Sequence, residues 1–229
     1  MELITVESYE DRQILAFPDF RGPIVSVLLA AAQGDLVSGT VLGKNTGTGK
    51  YEKYTAATFA TLATGVVGNN NAITYTAKSG GTAAHGIKIQ HKDPAGNSQA
   101  LNVTIENDTI VVSLATSEAG AITSTAADVI AAVNAALGVK NLVTVANTGA
   151  SDGSGVMTAM AATALAGATD ANVTPSIILA EEMPNQATDV NVRAYLGGPF
   201  YTSLLVGMDA AAKAAMGARM IEDITIVPV

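Results

Sequence analysis

Residues Ser176–Phe200 read SIILAEEMPNQATDVNVRAYLGGPF and hold two strand patterns separated by a turn. Ile177 and Leu179 alternate with Ile178 and Ala180. Met183-Pro184-Asn185-Gln186 breaks the run, because proline has no N–H to give a ladder and asparagine favours turns. Val190, Val192, Ala194 and Leu196 then fall on one face, and Asn191, Arg193 and Tyr195 on the other. That is the period-2 signature of a half-buried strand, and Gly197-Gly198-Pro199 ends it. Such a pair needs partner strands, and the best candidates lie far earlier in the chain.

Those candidates are Ile24–Ala32, apolar apart from Ser26, Leu36–Gly43 and Tyr51–Ala56, in which Tyr51 and Tyr54 take opposite faces. Between Leu36–Gly43 and Tyr51–Ala56 lies KNTGTGK, which is loop chemistry. Asp209 can cap a helix over Ala210–Met220, with Ala212, Met216 and Met220 on one face, and Ile221–Val229 returns to a strand pattern. The C-terminal residues therefore complete a domain begun near the N-terminus.

The sequence in between is of another kind. From Gly68 to Gly167 there is no arginine and no phenylalanine, one tyrosine (Tyr75) and one proline (Pro94). Loose segments flank it, TGVVGNNN and AGATDANVTP. The composition predicts a discontinuous domain over 24–66 and 169–229, interrupted by an inserted domain over 67–168; insertions succeed where a surface loop can open without breaking a core. Within the insert, Ala72–Lys78, Gly86–His91, Leu101–Glu106, Thr109–Ala115 and Leu142–Ala146 read as strands. Met157–Leu165 supplies a last segment. One helix spans Ser124–Leu137, with a capping box at Thr125 and Asp128, Val129, Ile130, Val133 and Leu137 on one face, and Gly138 ending it. The fold class is α+β and β-rich, the insert being a mainly antiparallel sheet with one covering helix.

Residues 1–23 scatter Glu2, Glu7, Glu10, Asp11 and Asp19 among Leu3, Ile4, Ile14, Leu15, Phe17 and Phe20, and Pro18 and Pro23 bar a long helix. They read as a poorly ordered terminus, or as an arm that orders on a partner by strand addition or by docking into pockets.

The 229 residues include 12 basic and 20 acidic side chains, a net charge of −8. That balance argues against nucleic acid, whose phosphates need clustered Lys and Arg, and against a polybasic membrane anchor. No apolar run reaches the ~20 residues of a membrane span, and no signal peptide is evident. Without cysteine there is no disulfide framework and no thiolate metal site.

Four features invite chemistry. Gly149-Ala150-Ser151-Asp152-Gly153 matches G-x-S-x-G, but both histidines precede Ser151 and no convincing helix follows, so it reads as a polar turn. Gly47-Thr48-Gly49-Lys50 lacks the first glycine of a P-loop, and Tyr51 stands where the Mg²⁺-binding hydroxyl belongs, so it reads as a hairpin loop. His85 and His91 lack further ligands for zinc and read as solvated surface histidines. Glu181 and Glu182 are adjacent strand residues and point to opposite faces. The expectation is a non-enzyme with no catalytic, cofactor-binding or metal residues and no cofactor.

The outer segments resemble phage head decoration proteins of the lambda D type. The residues that carry this are Gly34-Asp35-Leu36, Gly39–Lys44, Tyr51–Ala57, Ile177–Glu182, Val192–Phe200 and the alanine-rich helix at Ala210–Met220. They cover about residues 1–66 and 169–229. The insert is similar to a domain that recurs in phage structural and tail proteins, through Ala72–Ala77, Gly86-Ile87, Asp93–Gly96, Val111–Thr116 and Ile122–Ala126. The resemblance implies a small decoration domain of short strands plus one C-terminal helix. It implies a homotrimeric capsid cement, made in the host cytoplasm and carried on the outer capsid surface of the virion. The partner is then the major capsid protein of the same phage, with no nucleic acid and no membrane. Residues 1–23 become a capsid-binding arm, with Ile14, Leu15, Phe17 and Phe20 as its contacts, and the insert projects outward. Two other readings stay open: an adhesin whose insert binds a host surface or glycan, which would call for a concave polar site with aromatic platforms where the insert offers Tyr75 alone, and a tail or fibre protein.

Overall fold

The computed structural model describes residues 23–217. The arm contacts Ile14, Leu15, Phe17 and Phe20, the helix end at Met220 and the strand pattern Ile221–Val229 lie outside the described residues. The chain divides into two compact units, one built from the stretches up to Ala56 and from Ala171 onward, the other from Ala57–Asp170. In chain order the elements are β1 (Ile24–Leu29), β2 (Val41–Lys44), β3 (Tyr51–Lys53), β4 (Phe59–Thr64), β5 (Ile73–Gly80), β6 (Lys88–Lys92), β7 (Asn102–Glu106), β8 (Thr109–Ser113), α1 (Ala126–Ala135), β9 (Val143–Asn147), β10 (Met160–Ala164), β11 (Thr174–Leu179), β12 (Val190–Tyr195) and α2 (Ala210–Met216).

The first unit is a small closed barrel in the order β1-β12-β11-β2-β3. Its neighbours pair antiparallel except at the closure, where Leu29 meets Tyr51 in parallel. The run Ile177-Ile178-Leu179 is buried throughout, because both faces of β11 are covered. Ile177 and Leu179 join Leu29, Leu36, Leu42, Val192 and Ala194 in one cluster. Ile178 points the other way, to Val41, Tyr54, Phe200, Ala212 and Met216, beneath α2. Tyr54 sits in this second cluster and Tyr51 packs on the first, so the two tyrosines do take opposite faces. On β12, Asn191 and Arg193 are exposed while Val192 and Ala194 are buried. Leu196 leaves this pattern: it lies past the strand end and is exposed.

Asp209 caps α2, its carboxylate accepting from the Ala212 N–H at 2.6 Å. Two residues fix the seam between β2 and β11. Pro175 has no ladder N–H, and the register shifts between Pro175 and Ile177. Gly43 lies opposite, where any β-carbon would run into the Thr174 carbonyl and the Val173 side chain.

The second unit holds two sheets rather than the single sheet expected. One runs β4-β5-β9 and the other β10-β6-β8-β7. The β7–β8 hairpin folds back so that β8 lies beside β6, and that pairing is parallel. Both sheets and α1 share one core, centred on Ile73, Tyr75, Ile89, Ile110, Val112, Val129 and Val133. The capping box forms as its spacing requires: Thr125 Oγ1 accepts from the Asp128 N–H at 3.2 Å, and Asp128 Oδ2 accepts from the Thr125 N–H at 2.9 Å. Leu137 does not share the helix's buried face. Ala136 already has an extended backbone, so Leu137 turns out to solvent and is 85% exposed.

The units meet at Ala56/Ala57 and Asp170/Ala171, not at the composition boundaries 66/67 and 168/169. Phe59–Thr64 moves to the second unit because β4 pairs with β5. Each unit closes its own ends. In the first, Asn172 accepts from the Thr55 N–H at 2.7 Å and donates to the Lys53 carbonyl at 2.8 Å. In the second, the Thr58 N–H donates to the Thr169 carbonyl at 3.0 Å, and the Thr169 N–H donates to Thr58 Oγ1 at 2.7 Å.

Candidate functional site

The catalytic-looking motifs resolve into local structure. Gly47–Lys50 forms the β2–β3 connection: Asn45 Oδ1 accepts from the Gly47 and Thr48 N–H groups, and Lys50 pairs with Asp189 at 2.6 Å. Hydrogen bonds from Lys50 and from the Ala31 N–H hold the Asp189 carboxyl below its ordinary range. Ser151 lies in the turn after β9, buried, its N–H on the Thr148 carbonyl and its hydroxyl without a partner. Glu181 turns to β12, accepting from both the N–H and Nε of Arg193.

Among the described residues no three His, Asp or Glu side chains are grouped to hold a metal ion, and no helix is long and apolar enough to cross a membrane. A depression of about 280 Å³ in the second unit is lined by Leu101, Ala115, Thr123, Ser124, Asp128 and Ala131. Its polar atoms serve the fold: Ser124 Oγ accepts from the Ala115 N–H, and the Thr125 N–H and hydroxyl both donate to Asp128, lowering that carboxyl's pKa.

The histidines are not solvated surface groups. His85 is half-buried and its Nε2 accepts from the Ala168 N–H at 3.1 Å. His91 is 2% exposed and bonds through Nε2 to the Tyr75 hydroxyl at 2.7 Å. Tyr75 stands on β5 and His91 on β6, so this bond joins the two sheets across their shared core. Burial lowers the His91 pKa to about 4, against the opposing effect of a backbone hydrogen bond at Thr158. Burial also raises the Tyr75 pKa. The imidazole is therefore neutral at pH 7, and Tyr75, wholly inside, cannot be an aromatic platform for a glycan.

What the first unit does offer is the start of β1, unpaired on the side away from β12 although the barrel closes farther along at Leu29. The Leu196 N–H donates to the Pro23 carbonyl, which fixes the phase of the β1–β12 ladder. By the alternation of antiparallel bonding, Val25, Val27 and Leu29 turn their backbone groups to β12, and Ile24, Ser26 and Leu28 turn theirs away. The next residue of that set, Ala30, donates to the Tyr51 carbonyl at 2.8 Å. On that side the parallel Leu29–Tyr51 bridge also places the Tyr51 N–H on the Leu28 carbonyl, which leaves Ile24 and Ser26 without a ladder partner there among the described residues. Ile24 and Leu28 are each 41% exposed and lie on the same strand face, with Ser26 between them. Residues 1–22 join the folded unit at this strand. The signal in the sequence is Ser26, a polar residue inside the apolar run Ile24–Ala32. Comparison of the chain with protein-family models, with curated proteins and with solved structures finds no match.

Proposed function

We propose that this chain is a structural protein of a phage head, a decoration protein that sits on the outer capsid surface as a trimer and holds neighbouring capsid subunits together. The observation that carries the reading is the open start of β1 at Ile24 and Ser26, with Ile24 and Leu28 exposed, at the point where the N-terminal segment enters the fold. An unpaired edge beside exposed aliphatic side chains suits strand addition, in which backbone bonds give affinity and side chains give register. The order of decoration-type segments along the chain supports it as well. The work is mechanical: several weak strand contacts on one oligomer act together and retain it, and a clamp across subunits resists pressure from packed DNA.

The test mixes the purified chain with expanded, undecorated heads of its phage, counting bound copies and recording head thermal stability, with a chain lacking residues 1–23 alongside. Saturation in multiples of three, with stabilisation lost on truncation, is the expected result. Binding that survives truncation moves the interface to the folded unit. Absence of binding to heads overturns the proposal.

A further inference from the structure

The second unit has four sheet edges, and three of them are blocked. On β9, α1 reaches over: Asn134 donates to the Val145 carbonyl at 2.8 Å and accepts from the Val145 N–H at 3.0 Å. On β4, Thr61 exchanges both backbone bonds with Ala166, and Thr58 bonds to Thr169. On β10, an irregularity between Met160 and Thr163 breaks the strand, and the Thr163 hydroxyl bonds to the Ala161 carbonyl. Bulges and covering groups are the ordinary means by which proteins stop edges from pairing.

The fourth edge, β7, carries none of these. Its sequence is Asn102-Val103-Thr104-Ile105-Glu106, with no proline, no lysine and an unbroken register to β8. Glu106 and Thr109 flank the two-residue turn Asn107-Asp108, where Asn107 takes the positive φ of 58° that such a turn needs. Those two residues are thus a hydrogen-bonded pair, and Asn102, Thr104 and Glu106 turn their backbone groups to β8. The N–H and C=O groups of Val103 and Ile105 point outward, and none has a partner among the described residues. Ile105 is 43% exposed, and its Cδ1 would lie 3.5 Å from a β-carbon on Gly138, next to the 85% exposed Leu137.

We infer that β7 pairs with β7 of a second copy of this chain, antiparallel and centred on Thr104. The strand is complementary to itself in that register, as a two-fold contact requires. Val103 then faces the second copy's Ile105, and Ile105 its Val103. These are the residues with free backbone groups, so the pairing makes four ladder bonds. Asn102 faces Glu106, so no like charges meet, and Thr104 meets its own copy on the axis. Val103 already packs on the core face of the sheet, so the pairing extends that apolar layer over Ile105. The inference stands on the second unit alone and not on capsid binding.

The chain has no cysteine, which makes the test direct. The full-length chain carrying Thr104→Cys is oxidised mildly beside chains carrying Asn102→Cys or Glu106→Cys. Residues facing each other at a non-hydrogen-bonded position have Cα atoms about 4.5 Å apart, within disulfide reach. Thr104→Cys is expected to form disulfide-linked pairs by itself. Asn102→Cys and Glu106→Cys are expected to do so only when mixed with each other. Adding Ile105→Lys, at an exposed edge position, is expected to bring Thr104→Cys down to the level of Asn102→Cys alone. Equal cross-linking of all three single variants, a mixture no better than its components, or indifference to Ile105→Lys would each overturn the pairing.

Discussion

His91 shows what one side chain does to the second unit. Its folded pKa, about 4, lies below the 6.5 of a free imidazole, so the unfolded chain takes up a proton first as pH falls. Its contribution is therefore fully present above pH 6.5 and is lost as pH falls towards 4, by at most about 3 kcal/mol. Denaturation of the full chain at pH 7 and pH 5, followed by amide exchange on β5 and β6, is expected to show that loss. His91→Gln, which cannot titrate, is expected to remove the pH dependence assigned to this residue, and a slope that persists would place it elsewhere. The burial was legible in part: in GIKIQHK, Ile87, Ile89 and His91 share one face of the alternation. What the sequence withheld was the partner, because Tyr75 lies on a strand of the other sheet and no local pattern couples them. Leu137 errs the other way. Its spacing suits the helix face, but the backbone leaves the helix at Ala136, one residue too early.

Among the elements, β11, β12 and the two helix caps follow from local rules and stand where alternation and capping chemistry put them. The two-sheet arrangement does not, since the parallel β6–β8 pairing depends on which way a hairpin folds back. Gly43→Ala tests the β2–β11 seam. With the Thr174 carbonyl in the path of the new methyl, backbone must shift, at a cost of roughly 1–3 kcal/mol. Chemical denaturation should report it as a lowered midpoint, and an unchanged midpoint would mean the strands are not so close. Asn134→Ala uncovers the N–H and C=O of Val145 together, a loss of about 1–3 kcal/mol. It also turns β9 into an open edge, so thioflavin-positive aggregation on mild heating should rise with the loss of stability.

For the whole molecule, the composition shift showed that a domain is inserted but missed its near boundary by ten residues. Phe59–Thr64 is no different in composition from the barrel strands, and only its pairing with β5 assigns it. Because Asn172 holds Lys53 and Thr55 beside the returning chain, removing residues 57–170 and joining Ala56 to Ala171 is expected to leave a folded first unit. Dispersed NMR amide signals from β1, β12 and α2 would confirm it, and a collapsed spectrum would show that the barrel needs its insert. The β1–β12 ladder has one more consequence. Its six residue pairs lie side by side along β1, the strand to which residues 1–22 are joined. The bonds run across the strand, so a pull along that segment loads the whole ladder in shear, and its bonds must fail together rather than one after another. A tether built this way yields abruptly at a high force, where one peeled from its end would unzip at a low one.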